Sequence, residues 1–159
     1  MRLPTQSPSP ELLVLTAALL WAAPLAAQQA REIGILAIGT ASDPALAIGA
    51  LYGALRTSNR TRMSVAGGVG GSAGELAFRA ELLGHFLLSP NKRKGAAPYF
   101  AAGVAAIGGP VSRGYLVLTL GVEQRPGAGA GWAAEAGVGG GFRVALGYRW
   151  RRHRSGRLP

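Results

Sequence analysis

Phe142-Arg143-Val144-Ala145-Leu146-Gly147-Tyr148-Arg149-Trp150-Arg151 is the stretch on which the fold turns. Every second residue (Phe142, Val144, Leu146, Tyr148, Trp150) is large and apolar or aromatic, and the gaps hold Arg143, Ala145, Gly147, Arg149 and Arg151. Successive side chains of a strand point to opposite faces, so the stretch predicts a strand with one apolar face and one small-or-cationic face. A half-buried soluble strand shares that pattern. Aromatics toward the end of the apolar face, in a chain that opens on an export signal, point to lipid outside and a polar lumen inside.

That export signal is residues 1–27. Arg2 supplies a positive start, Leu12 to Trp21 an apolar core, and Pro24-Leu25-Ala26-Ala27 a small-residue cleavage region before Gln28-Gln29. Cleavage is expected after Ala27, with Ala26 and Ala30 as alternatives. The competing reading is one membrane-spanning helix. Glu11 to Ala27 contains Pro24, lacks a basic flank, and falls short of the roughly 20 residues a span needs.

Composition narrows the class further. The chain has 159 residues, enough for one domain, and 25 are Gly, well above the usual ~7%. With 48% apolar residues it is not a disordered low-complexity chain. It has no Cys, so neither a disulfide framework nor a Cys-based metal site is available. The net charge of +10 raises nucleic acid or an anionic membrane as a partner. Only Asn91-Lys92-Arg93-Lys94 and Arg151-Arg152-His153-Arg154 are clusters; the other Arg residues are scattered among apolar ones. That scatter suits a lumen or a solvated face, and the export signal argues against nucleic acid.

Beyond residue 27 the chain breaks into short segments separated by Gly, Pro, Asn and Ser, the spacing of an all-β protein. Strands are expected at about 32–41, 44–56, 61–70, 75–88, 97–108, 114–124, 131–138 and 141–151. Lengths near ten residues match tilted membrane-spanning strands. In the fourth, Leu76, Phe78, Ala80, Leu82, Phe86 and Leu88 share one face, and Arg79, Glu81 and His85 the other. Leu116, Leu118, Leu120 and Val122 alternate with Val117, Thr119, Gly121 and Glu123; Trp132, Ala134, Ala136 and Val138 alternate with Ala133, Glu135, Gly137 and Gly139. The Ala/Gly/Leu mixtures of the first three segments leave their faces open. Gly and Ala weaken soluble strands. A closed barrel of about eight strands has a narrow interior that small residues relieve, and closure removes the unpaired edges that lipid would penalise.

The inward set is then Arg79, Glu81, Glu123, Glu135, Arg143 and Arg149. An Arg on the lipid face near the bilayer midplane would cost about 2–4 kcal/mol. Several would rival a whole folding stability of about 5–15 kcal/mol. Inside, each carboxylate can meet a guanidinium. Such carboxylates stay ionised and make poor general acids, so a structural network is expected rather than an acid–base pair.

Other chemistry finds less support. His85 shares a face with Glu81, but there is no Gly-x-Ser-x-Gly elbow. Ser64 and Ser112 are the only Ser left as nucleophile candidates. Gly68-Val-Gly70-Gly-Ser-Ala73 fits a loose phosphate-loop pattern ahead of a stretch, Glu75 to Leu88, that contains helix formers. No acid follows at the required distance, so a strand end and turn are expected there and no cofactor. Two His and scattered acids do not make a metal site.

Three passages together resemble the small bacterial outer-membrane β-barrel proteins. They are Ala97-Pro-Tyr99-Phe-Ala-Ala-Gly-Val104, Leu118-Thr-Leu-Gly-Val-Glu123-Gln-Arg125-Pro126 and the closing Phe142 to Trp150. The resemblance spans 32–151 and implies one antiparallel up-and-down transmembrane barrel with both termini periplasmic. Connections 42–43, 71–74, 109–113 and 139–140 would then face outward, and 57–60, 89–96 and 125–130 the periplasm. Members of this family usually end on an aromatic residue, whereas residues 151–159 follow Trp150 here. The short outward connections also argue against an adhesin.

The expected organisation is a signal peptide (1–27), a barrel (31–151) and a basic tail (152–159). The expected protein is a non-enzymatic, monomeric outer-membrane barrel with a side-chain-filled lumen. Its partners would be outer-membrane lipids (lipopolysaccharide or phospholipid) and the barrel-assembly machinery. Lys92, Arg93 and Lys94 are candidate contacts for anionic lipid. The rival readings are a lipid-modifying barrel enzyme using His85, and a soluble periplasmic barrel with the faces inverted around an apolar ligand.

Overall fold

The computed structural model of the chain describes residues 31–109 and 112–152. Eight strands follow in order: β1 (Arg31–Ala41), β2 (Leu46–Arg56), β3 (Thr61–Ser72), β4 (Glu75–Leu87), β5 (Ala96–Gly108), β6 (Arg113–Gln124), β7 (Ala130–Val138) and β8 (Phe142–Arg152). Each pairs antiparallel with its neighbour, and β8 returns to β1, closing the barrel. The expected signal peptide, and the tail from His153 onward, lie outside the described residues.

The ends of the strands differ from expectation for local reasons. β2 begins at Leu46 rather than residue 44, because Pro44 has no N–H to give to a ladder. β3 runs on to Ser72, which pairs with Glu75. The turn shrinks to Ala73-Gly74, whose φ angles of +52° and +80° fit the tight hairpin turn that matches strand twist. The stretch with a loose phosphate-loop pattern is therefore strand and hairpin, and Glu75–Leu87 is strand rather than helix.

The outer surface is apolar on every strand. Leu116, Leu118 and Leu120 are 78%, 58% and 71% exposed. Soluble monomers rarely expose contiguous apolar patches beyond a few hundred Å², whereas this band encircles the molecule. An 11-residue strand rising ~3.3 Å per residue and tilted about 40° stands roughly 28 Å tall, the height of a bilayer's hydrocarbon. Phe86 and Phe100 on β4 and β5, and Trp132, Tyr148 and Trp150 on β7 and β8, form two outward aromatic clusters near the end that carries the termini. Phe86 faces Phe100 and Trp132 faces Tyr148 across strand pairs, with ring centroids 5.5 and 5.0 Å apart. The inverted arrangement is excluded: Phe142, Val144 and Leu146 point out and Arg143 and Arg149 are fully buried.

Inside, small residues make room for large ones. A Cβ on Gly121 would collide with the Tyr99 ring on β5, and one on Gly147 would collide with Leu36. The end opposite the termini is packed by Leu36, Ile38, Leu46, Ile48 and Ala77, with Ile107 against them. Leu83, Ala101, Ala105 and Val117 form a second, smaller apolar cluster, and charged and polar side chains share the rest of the lumen with small residues.

Candidate functional site

Alternation on eight strands delivers a set of ionised side chains to the lumen. β4 contributes Arg79 and Glu81, β6 Glu123, β7 Glu135, and β8 Arg143 and Arg149; all six are buried. β1 adds Glu32, β3 adds Arg62, and β8 adds Arg151, also buried. They link into one chain along the barrel.

At the termini end, Arg62 donates from Nη1 to Glu32 Oε2 and Glu123 Oε2, both at 3.0 Å. Arg151 donates to Glu123 Oε2 at 3.0 Å, and Arg56, half-buried at the mouth, lies 3.6 Å from Glu32. Arg149 carries the chain onward, reaching Glu123 at 3.4 Å and Glu135 at 2.9 Å. Arg143 then bridges Glu135 at 2.9 Å and Glu81, and Arg79 donates from Nε to Glu81 at 2.6 Å. Beyond it, Arg79 donates to Thr40 Oγ1 and the Gly139 carbonyl.

Aromatic residues complete the chain. Tyr99 donates its hydroxyl to Glu135 at 2.7 Å and accepts from Arg149 at 3.1 Å. The Arg149 guanidinium lies 4.6 Å from the centroid of the Tyr52 ring, a cation–π contact between two buried side chains. Charges taken out of water this completely are tolerable only when paired and hydrogen-bonded. Here every buried carboxylate meets at least two guanidinium groups.

His85 and Ser64 meet, which the sequence did not suggest strongly. Arg62↔His85 are cross-strand partners, so Ser64 lies diagonally across β3–β4 on the same face. Its Oγ is 2.7 Å from His85 Nε2. Arg62 Nη2 is 3.3 Å from His85 Nδ1. A guanidinium only donates, so Nδ1 accepts, and in the neutral ring Nε2 carries the hydrogen and donates to Ser64. A nucleophilic triad needs the reverse: a free Nε2 to take the Ser proton and an acid behind Nδ1. Glu81, the acid expected beside His85, is engaged by Arg79 and Arg143 instead. Ser112 is exposed in the β5–β6 connection, far along the chain from this cluster.

Lys92, Arg93 and Lys94 are exposed in the β4–β5 connection at the termini end. They take no part in the lumen network. Of the lumen residues, Glu32, Arg62, Tyr52 and Tyr99 escaped sequence reasoning, and Arg151, though read on the cationic face of its strand, was left out of the expected inward set. Arg151 carried a usable signal, since it continues the row of Arg143 and Arg149.

A closed, antiparallel eight-stranded barrel with an apolar wall and an ion-paired interior has the fold of the small bacterial outer-membrane barrels. Two solved structures of that class align with it. The N-terminal β-barrel domain of Pseudomonas aeruginosa OprF matches with a TM-score of 0.58 at 14% identity, covering 76% of this chain and 97% of that one. Neisserial surface protein A (NspA) matches with a TM-score of 0.51 at 10% identity, covering 80% of this chain and 98% of that one. No protein-family model and no curated protein matches the sequence. At these identities the likeness is one of fold.

Proposed function

We propose that the protein is a non-enzymatic structural barrel of the bacterial outer membrane. In this reading it is exported by its signal peptide, placed by the barrel-assembly machinery, and embedded as a monomer among outer-membrane lipids. The observation that carries the reading is the continuous ion-pair chain from Glu32 to Arg79 inside a wall of exposed Leu, Val, Ile and Phe. Charges that would each cost several kcal/mol against lipid are all turned inward and paired. The apolar layer around Ile38, Leu46 and Ile48 adds to a lumen filled by side chains, which suits a load-bearing element better than a solute channel.

A lipid-modifying enzyme would require His85 to act as a base toward an accessible nucleophile. The Arg62–His85–Ser64 contacts run the wrong way, and Ser64 is buried. Density-gradient fractionation of cells expressing the full chain tests the proposal. Recovery with the outer-membrane fraction supports it; recovery in the soluble periplasm overturns it.

A further inference from the structure

The exposed charges of the barrel are segregated by end. Among the described residues, the exposed acids are Asp43 and Glu75, both at the end opposite the termini, where the exposed cation is Arg113. At the termini end the exposed charges among the described residues are all positive, and two structural features concentrate them.

The first is a platform made by two turns. Gly127 N donates to the Lys92 carbonyl at 3.0 Å, and Arg125 N donates to the Gly95 carbonyl at 2.9 Å, joining the β4–β5 and β6–β7 connections. Pro126 is buried beneath, its carbonyl accepting from Arg56 Nη2 at 3.2 Å. Lys92, Arg93, Lys94 and Arg125 are thus held together on one framework, although Arg125 is distant in sequence. Lys92 Nζ donates to the Ala96 carbonyl at 2.9 Å, which fixes its ammonium and leaves two of its three donors.

The second feature is the closing seam. Arg31 on β1 and Arg152 on β8 are register partners, and both are exposed. Like charges directly opposite one another on a sheet are destabilising. A shared anion would reverse that, because guanidinium groups bind phosphate oxygens through parallel charge-assisted hydrogen bonds. Arg152 is the next outward residue after Trp150, and Arg31 the next before Ile33. Both therefore sit one step beyond the Ile33–Trp150 pair, at the level of lipid headgroups.

We propose that the termini-side rim is a binding surface for the phosphates of anionic phospholipids, held by the Arg31–Arg152 pair and by the Lys92–Arg93–Lys94–Arg125 platform. The inference rests on the membrane-barrel reading. The lipid, rather than a soluble anion, is favoured because the cations border outward aromatic side chains, Tyr148 and Trp150 beside the seam and Phe86 and Phe100 beside the platform, whose natural surroundings are acyl chain and headgroup. The surface would draw acidic phospholipid around the barrel and set the basic end toward the leaflet that contains it.

The test uses the chain from Gln28 onward, refolded into phosphatidylcholine vesicles containing spin-labelled phosphatidylglycerol or spin-labelled phosphatidylcholine. The fraction of label immobilised by the protein is read by electron paramagnetic resonance. The expected result is a preference for phosphatidylglycerol of about fivefold or more, the effect of at least one cation at a charged surface. That preference falls in 1 M salt, is kept by Arg113→Gln, and is lost when Arg31, Lys92, Arg93, Lys94, Arg125 and Arg152 are all changed to Gln. Equal immobilisation of the two labels by the unaltered chain overturns the inference, as does a preference that survives the six substitutions. Displacement of the lipid by millimolar inorganic phosphate would show a general anion site and overturns the assignment to lipid. If the chain fails to enter vesicles at all, the membrane-barrel reading falls; if it inserts without preference, only the lipid inference does.

Discussion

Arg143 on β8 grips Glu81 on β4 through two parallel hydrogen bonds, Nε to Oε1 at 3.1 Å and Nη2 to Oε2 at 2.9 Å. Three strands lie between β4 and β8 in either direction around the ring, so the pair spans the lumen from wall to wall. Bidentate geometry fixes orientation as well as distance. Glu81 also accepts from Arg79, and Arg143 also donates to Glu135, which makes the pair a junction of the whole network.

Removing Glu81 leaves two buried guanidinium groups short of a partner. Glu81→Ala is expected to destabilise the barrel by about 3–5 kcal/mol, the usual result of breaking a buried pair from one side. Urea unfolding in vesicles, followed by Trp fluorescence, measures it. Glu81→Met with Arg143→Met should recover part of the loss, because the double change removes charges of both signs.

The lipid-facing wall makes a second prediction. Leu118 lies midway along β6, and Phe142 lies at the edge of the band. Leu118→Arg is expected to cost about 2–4 kcal/mol in a bilayer and Phe142→Arg about 0–1 kcal/mol. The same unfolding assay compares them, and equal costs would contradict the placement of the membrane.

How much of this the sequence disclosed follows from which residues line the lumen. From Glu75 onward most large outward residues are Leu, Val, Phe or Trp and the inward face carries Arg79, Glu81, His85, Glu123, Glu135, Arg143 and Arg149, so alternation assigns both faces. Strands β1 and β2 place Leu36, Ile38, Leu46 and Ile48 inward and Ile33, Ile35, Leu51 and Leu55 outward. Both faces are apolar there because that sector of the lumen is an apolar layer, and a two-fold pattern carries no information. Glu32 sits on β1 and Arg62 on the equally unassigned β3, and both escaped notice. The pairing of Ser64 with His85 depends on the β3–β4 register, which the shortened two-residue turn sets and the sequence pattern did not. The convergence of Arg125 with Lys92 depends on contacts between two turns, which no local pattern encodes.

Gly121 is required by the Tyr99 ring. Gly121→Val should cost about 1–3 kcal/mol by overpacking, and it should push the Tyr99 hydroxyl off Glu135 and Arg149. Adding Tyr99→Ala should make the valine substitution markedly less harmful than it is alone, a coupling read from a double-mutant cycle.

The donor pattern around His85 predicts an inert serine. Purified barrel, Ser64→Ala and His85→Ala are expected to show the same background rate of phospholipid and lipid A deacylation, measured by fatty acid release. Activity in the unaltered protein that disappears in either variant would establish an enzyme in place of the structural barrel.

Closure of β8 onto β1 is the claim on which the lumen, the apolar outer band and the cationic seam all depend. Because the chain has no Cys, an engineered pair reports it cleanly. Ala37 and Leu146 are register partners facing outward on β1 and β8, and partners across antiparallel strands have Cα separations of about 4.5–5.5 Å, within disulfide reach. Mild oxidation of the double variant Ala37→Cys/Leu146→Cys in outer membranes should give nearly complete intramolecular cross-linking. The unboiled protein should keep a mobility distinct from that of the boiled protein. The control Ala37→Cys/Ala134→Cys, which places its second thiol on β7, should stay reduced. Absence of the β1–β8 cross-link, or equal cross-linking in the control, would contradict the closed barrel.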